Sequence, residues 1–324
     1  MLHQTSRSFH WTLRVLPAAV RPQIGLAYLL ARTTDTIADT EIVPVLQRLE
    51  TLHALRERIL GRITKPLDLG DLVRHQGLPA ERALLEQVEA TVAALRDLSA
   101  ADIQLIRAIL ETIISGQEMD LKRFTGASAQ NIIALQTDAE LDDYTYRVAG
   151  CVGEFWTRMC RAHLFPEAPL DEAFLLTNGV RFGKGLQLVN ILRDLPRDLR
   201  QGRCYLPLER LTAERLTPTD LLGPNNESRF RPLYETYLKQ TESHLAAGWA
   251  YTNALPRASV RIRLACAWPI LIGIRTIKKL RKENMLDPLH RIKISRSEVR
   301  ALIVRSVLNY PFQATWERQF ARAK

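Results

Sequence analysis

Apolar residues recur at three- and four-residue spacing along nearly the whole 324-residue chain, and that period commits it to α-helices. After Pro44, residues Val45, Leu46, Leu49, Leu52, Leu55 and Ile59 share one stripe, and Gly61 closes it. Proline at the start and glycine past the end is the asymmetry of a helix. Ser99 to Asp102 resembles a capping box, with aspartate in place of glutamate, ahead of Ile103, Ile106, Ile109, Leu110, Ile113 and Ile114. Further helices are predicted over roughly 22–40, 79–96, 138–164, 170–195, 227–253, 257–283 and 296–321, with loops near 64–78, 123–131, 165–169 and 217–226. No run alternates with period two between turn residues, so strands are not expected. No Gly/Ser linker, low-complexity tract or internal repeat divides the chain, and the expectation is one all-α domain over 1–324.

The side chains narrow the partners. A hydrophobic content of 46% is ample for a core, and a net charge of +10 points to anionic partners. Phosphorylated substrates, acidic lipid headgroups and nucleic acid all qualify. Nucleic acid is set aside, because the basic residues are dispersed and no helix-turn-helix, zinc-finger or RNA-binding signature accompanies them. Lys278, Lys279, Arg281 and Lys282 read instead as a peripheral patch for an anionic membrane. The longest apolar run, Leu264 to Ile274 broken by Pro269, falls short of the ~20 residues that span a bilayer. It lines a cavity or, more commonly for such a run, fills a core. Cys151, Cys160, Cys204 and Cys266 form no C-x-x-C pair, and the first eleven residues lack the apolar core of a signal peptide. A reduced, cytoplasmic setting is expected, with any membrane contact peripheral.

Two Asp-x-x-x-Asp pairs are the candidate chemistry: Asp35/Asp39 and Asp194/Asp198. Residues four apart share a helix face, and two like charges there oppose the helix unless a cation sits between them. Magnesium with a diphosphate suits such oxygen ligands. Arg32, three residues before Asp35, is placed to grip a phosphate. A solvated acidic face is the bland alternative for an isolated pair. The second pair has more context. Gln187, Asn190 and Asp194 lie at i, i+3 and i+7, a polar stripe that is costly to bury without partners. Arg193, Arg197, Arg200 and Arg203 crowd the same stretch, as a surface charge cluster or as a diphosphate cradle. Pro196 either ends the helix or kinks it, which makes Asp194 a safer ligand than Asp198.

These segments together resemble the squalene and phytoene synthase family over nearly the whole chain. Ser6-Arg7-Ser8-Phe9 is similar to its opening motif, and Tyr28 to Asp39 to its first acidic segment. Asp143 to Gly153 resembles its Y-x-x-x-V-A-G-x-V-G segment, and Gly185 to Asp198 with Gly202 to Pro207 its second acidic segment and following arginine. The resemblance implies an isoprenoid-synthase-type helical bundle around a central cavity. It implies head-to-head condensation of two farnesyl diphosphates to presqualene diphosphate, then NADPH-dependent reduction to squalene.

The resemblance also implies roles. Magnesium belongs on Asp35, Asp39, Asp194 and Asp198, with Asp35 and Asp194 acting in catalysis. Arg7, Ser8, Tyr28, Arg32, Gln187, Asn190 and Arg203 belong to the substrate. Tyr144 matches the tyrosine that steadies the cation or relays a proton. Lys293 and Arg296, in a late basic stretch like one in squalene synthases, are implied to meet NADPH phosphates; a basic turn capped by Ser295 is the plainer reading. Two departures stand out. Ala38 and Arg197 replace an inner glutamate of each acidic motif, and the C-terminal membrane anchor of eukaryotic squalene synthases is not expected here. Phytoene or dehydrosqualene synthesis without reduction is the alternative within the family. A non-catalytic assembly-factor relative is the alternative outside catalysis, opposed by the four retained aspartates.

Overall fold

A computed structural model describes residues 10–324, so the expected roles of Arg7 and Ser8 lie outside the described residues. Chain contacts sort into two compact units: the first runs to Thr125 and resumes over Phe155–Glu167, and the second comprises Gly126–Glu154 and Ala168–Lys324.

The first unit contains α1 (His10–Val15), α2 (Arg21–Asp39), α3 (Val45–Leu60), α4 (Gly70–His75), α5 (Pro79–Glu86), α6 (Val88–Ala93) and α7 (Ala100–Arg123). Helix α2 packs on α3, α5 and α7, burying Ile24, Leu30 and Ile37. The stripe after Pro44 forms α3, and Gly61 closes it at φ 76, returning its N–H to Glu57 and Arg58 carbonyls. Ser99 caps α7 by accepting from the Asp102 N–H at 3.1 Å. The reciprocal half of the expected box is not made. The buried Asp102 carboxylate instead takes His163 Nε2 at 2.7 Å and Gln23 Nε2 at 3.3 Å. A carboxylate 4% exposed needs such donors.

The second unit opens with a two-residue parallel pairing of β1 (Ile133–Ala134) on β2 (Arg203–Cys204), a small exception to the strand-free expectation. Then come α8 (Asp138–Thr145), a π-helical turn Tyr146–Gly150, and the first residues of α9 (Cys151–Leu164). They are followed by α10 (Glu172–Arg200), α11 (Leu208–Ala213), α12 (Glu227–Ala254), α13 (Val260–Leu280), α14 (Arg296–Asn309), α15 (Gln313–Glu317) and α16 (Gln319–Ala323). The helix expected over 296–321 is thus interrupted around Pro311, whose ring has no N–H to return to the Val307 carbonyl.

Helix α10 lies against α12 and the π-helical turn. A Cβ on Gly153 would sit 2.0 Å from the Gly179 carbonyl oxygen, and one on Gly183 2.2 Å from that of Ala149. Glycine at both places is what lets these backbones approach. The expected end of α10 at Pro196 does not occur: the helix continues to Arg200. Proline removes the N–H that the Leu192 carbonyl would accept. The buried Tyr234 hydroxyl of α12 donates to that carbonyl at 3.0 Å, so the group stays paired.

Candidate active site

Both acidic pairs occupy the last two turns of their helices, α2 and α10. Carboxylates there face the negative end of the helix dipole, an unfavourable placement that nearby cations correct.

In the first unit Asp35 is held from two sides. Arg32 Nη1 donates to Oδ2 at 2.8 Å, and Gln117 Nε2 of α7 donates to Oδ1 at 2.5 Å. A second nitrogen of Arg32 reaches Glu81 of α5 at 3.4 Å. Burial pulls the Arg32 pKa down, but Asp35, Tyr28 and Glu81 outweigh it and raise the value above normal, so this guanidinium stays charged. Asp39, one turn on, is exposed, and Tyr28 is half-buried. Gln117 is buried, and its Oε1 has no hydrogen-bond partner. An acceptor left bare next to a carboxylate fits a site that gains a cation or donor on loading.

In the second unit Asp194 is gripped by two arginines. Arg193 donates Nε to Oδ1 at 3.0 Å and Nη2 to Oδ2 at 2.5 Å; Arg291 donates Nη2 to Oδ1 at 3.0 Å. Burial pushes the Asp194 carboxyl upward, and the hydrogen bonds and charges of Arg193 and Arg291 overcome it, holding the pKa below the usual range. Asp198 follows one turn later on the same unbroken helix. The stripe before it is less buried than its apolar setting implied: Gln187 is half-buried and Asn190 exposed. Neither amide therefore bears the full cost of burial. Arg197 and Arg200 are exposed, and Arg203 is half-buried in β2.

Tyr144 is 8% exposed near the end of α8 and stacks on Tyr205, with ring centroids 4.8 Å apart. The π-helical turn follows it, and such turns often mark functional positions. Within that turn, Tyr146 donates its hydroxyl to Glu154 at 3.2 Å. Lys293 and Arg296 are exposed on either side of Ser295. Ser295 and Glu298 form a full capping box, so the turn has a structural role whatever else it binds. The Ser295 amide and Lys279 hold the Glu298 carboxyl down to about 2.

The donor set fits magnesium: oxygen ligands only, on paired carboxylates. Among the described residues no group of three or more His, Cys, Asp or Glu is placed to hold a metal. Magnesium is commonly bound by one or two carboxylates with substrate phosphates and waters. Sequence reasoning overlooked Gln117 and Glu81, and it did not pair Arg291 with Asp194. Gln117 had a signal, since it interrupts the apolar stripe of Ile106, Leu110, Ile113, Ile114 and Leu121.

The squalene/phytoene synthase family model matches residues 2–298. A 15-cis-phytoene synthase of Synechocystis is 29% identical over 85% of this chain and 72% of its own length. A presqualene diphosphate synthase of Rhodopseudomonas palustris is 30% identical over 78% of this chain and 77% of its own. The chain spans only 37% of the bifunctional lycopene cyclase/phytoene synthase of Colletotrichum graminicola, which is 31% identical over the matched part. A solved structure described as TcSQS with the ligand E5700 superposes with a TM-score of 0.77 at 21% identity, covering 100% of this chain and 90% of that one. At that identity the likeness speaks for the fold.

Proposed function

Since the chain belongs to the squalene/phytoene synthase family, whose members condense prenyl diphosphates head-to-head, we propose that it joins two farnesyl diphosphates into presqualene diphosphate and reduces that to squalene. The observation that carries this reading is the placement of both acidic pairs in the last two turns of their helices, each with an arginine on its leading aspartate. Carboxylates and guanidiniums so arranged suit a metal-bound diphosphate leaving group.

Asp35 and Asp39, and Asp194 and Asp198, would hold magnesium, which when bound neutralises the departing diphosphate. Arg32 and Arg203 bind phosphate oxygens, as does Arg7. Arg193 and Arg291 hold the Asp194 carboxylate ionised. Loss of diphosphate leaves an allylic cation, the second substrate's double bond attacks it, and proton loss closes the cyclopropane of presqualene diphosphate. The Tyr144 ring, stacked on Tyr205, steadies positive charge with its π-face or relays the proton. Tyr28, Ser8, Gln187 and Asn190 orient the substrates. The ~15 apolar carbons of each tail supply most of the affinity, at ~0.8 kcal/mol per buried carbon. Lys293 and Arg296 carry exposed charge fit for the phosphates of NADPH, which when bound supplies the hydride of the reductive step. The site works from one catalytic domain over 1–324, in the cytoplasm or at a membrane surface; among the described residues no helix is long and apolar enough to cross a membrane.

The resemblance to the Synechocystis enzyme favours a second reading, a phytoene or dehydrosqualene synthase that needs no reductant. Diphosphate release tests the site under either reading. With farnesyl or geranylgeranyl diphosphate and magnesium the protein should liberate diphosphate, and Asp35→Asn or Asp194→Asn should lower the rate at least ~10³-fold with helical circular dichroism unchanged. No release from either substrate contradicts the enzyme reading, and unfolding of both variants favours a structural role for the aspartates.

A further inference from the structure

We propose that the outward face of α14, continued by Phe312, docks this protein on an anionic phospholipid bilayer. Charge is the first ground. Between Arg257 and Lys324 lie sixteen lysines and arginines against four acids, a surplus of 12, while the whole chain carries only +10. The remaining 256 residues are therefore slightly acidic, and the basic surplus belongs to the C-terminal fifth.

Exposed apolar side chains gather in the same stretch. Val304 is 57% exposed, Val307 46%, Leu308 66% and Phe312 65%, with Leu289 at 94% on the preceding loop. Arg300, Val304, Leu308 and Phe312 follow one another at steps of four, the spacing of a single helix face. The opposite face of α14 is anchored: Ser306 is fully buried and accepts from Trp268 Nε1 of α13 at 2.8 Å. The outward direction of Val304 and Leu308 is thus fixed. A helix apolar on both faces belongs against something apolar on both.

A third feature names the chemistry. Arg275 of α13 and Arg305 of α14 line a cleft of about 180 Å³ with Ala301, Leu302 and Glu298, whose carboxylate is already engaged by Lys279 and the Ser295 amide. Two guanidiniums over an apolar wall suit a lipid phosphate with its glycerol and first methylenes. Phosphate headgroups meet the arginines while the ridge enters the acyl boundary. A second copy fits poorly, since a two-fold contact would press Arg300 and Arg305 against their own equivalents. The docking face lies outside the Lys278 to Lys282 cluster that the sequence suggested. There Lys279 is paired with Glu298, and Arg281 with Glu235 and Glu242.

This reading rests on the proposed function only in supplying a purpose, the release of an apolar hydrocarbon. Its test is independent. The full chain is sedimented with phosphatidylcholine vesicles, with and without phosphatidylglycerol, beside the variants Val304→Ser/Leu308→Ser/Phe312→Ser and Arg300→Gln/Arg305→Gln. The wild type should bind the anionic vesicles at least ~10-fold better than the neutral ones. The triple serine variant should lose at least ~10-fold of that binding, and the glutamine pair should weaken it and flatten its salt dependence. Equal binding to both vesicles, or a triple variant that binds like wild type, overturns the proposal. So does a wild-type dimer that the triple variant dissolves, which makes a second copy the occupant. Farnesyl diphosphate turnover, read in detergent on the same samples, separates the two ideas. Vesicle binding without turnover sinks the catalytic reading alone, and turnover without vesicle binding sinks this one alone.

Discussion

At the residue scale the unusual feature is that Asp194 shares its carboxylate between Arg193 and Arg291. Two guanidiniums compete with a metal for the same oxygens. Arg291→Gln therefore has a two-sided outcome. Magnesium alone should bind more tightly, by about 3–10-fold, while magnesium with inorganic diphosphate gains less than in wild type, because one positive charge beside Asp194 is gone. Isothermal titration on both proteins checks this, and two unchanged affinities contradict it. Asp35 has a different support, the neutral amide of Gln117 with its bare Oε1. Gln117→Leu should weaken magnesium diphosphate binding and leave a stable fold, since it replaces a half-satisfied buried amide by an apolar group of similar size.

The same scale shows what was readable beforehand. Spacing singled out the aspartates, Arg32 and the Gln187–Asp194 stripe, while Tyr144 came only from the family resemblance. Neither signal reached Gln117, Glu81 or the Arg291 pairing, because each reaches its partner across 49 to 97 residues of chain. Only tertiary packing brings such residues together, and no local period encodes it.

At the element scale α10 is the instructive case. Proline in an otherwise helical pattern predicts an end or a kink, and locally that reading is sound. It failed as an end because α12 provides a hydroxyl where the helix lost a donor. Tyr234→Phe should accordingly cost about 1–3 kcal/mol of stability, and clearly less in a Pro196→Ala background, where the amide returns. A double-mutant cycle by urea denaturation measures the coupling; equal costs in both backgrounds contradict it. The glycines are a second element-scale test. Gly153→Ala and Gly183→Ala each drive a methyl into a backbone carbonyl of the packed segment. Each should destabilise by about 3 kcal/mol or more, beyond ordinary overpacking, because backbone cannot rotate aside as a side chain does. The helices themselves were legible from period, Pro44 and Gly61. The π-helical turn was not, since one extra residue per turn leaves no mark in a pattern read at 3.6.

At the scale of the whole molecule, stability should depend on pH through His244 on α12. Burial first, then the charges of Arg181 and Lys184, hold its imidazole down to about 4, with Asp142 opposing. The folded value lies below the unfolded value of about 6.5, so folding favours the neutral ring. Its contribution is complete above pH ~6.5 and is lost as pH falls toward 4, by at most about 3 kcal/mol and less for a ring only partly buried. Thermal melts between pH 7 and 4.5 should drop, and His244→Gln should remove part of that slope; an identical slope contradicts the assignment.

The all-α class was legible from composition and period together. Charge placement was legible too, although only the structure showed which face of the basic C-terminal stretch is apolar and outward. The product depends on the shape of the space that the substrates fill, which no motif encodes. The most direct test of the central claim is therefore mass spectrometry of the products formed from farnesyl diphosphate and magnesium, with and without NADPH. The account predicts squalene with NADPH and accumulation of presqualene diphosphate without it. A conjugated triene formed equally well in both reactions, or untouched substrate in both, would contradict it.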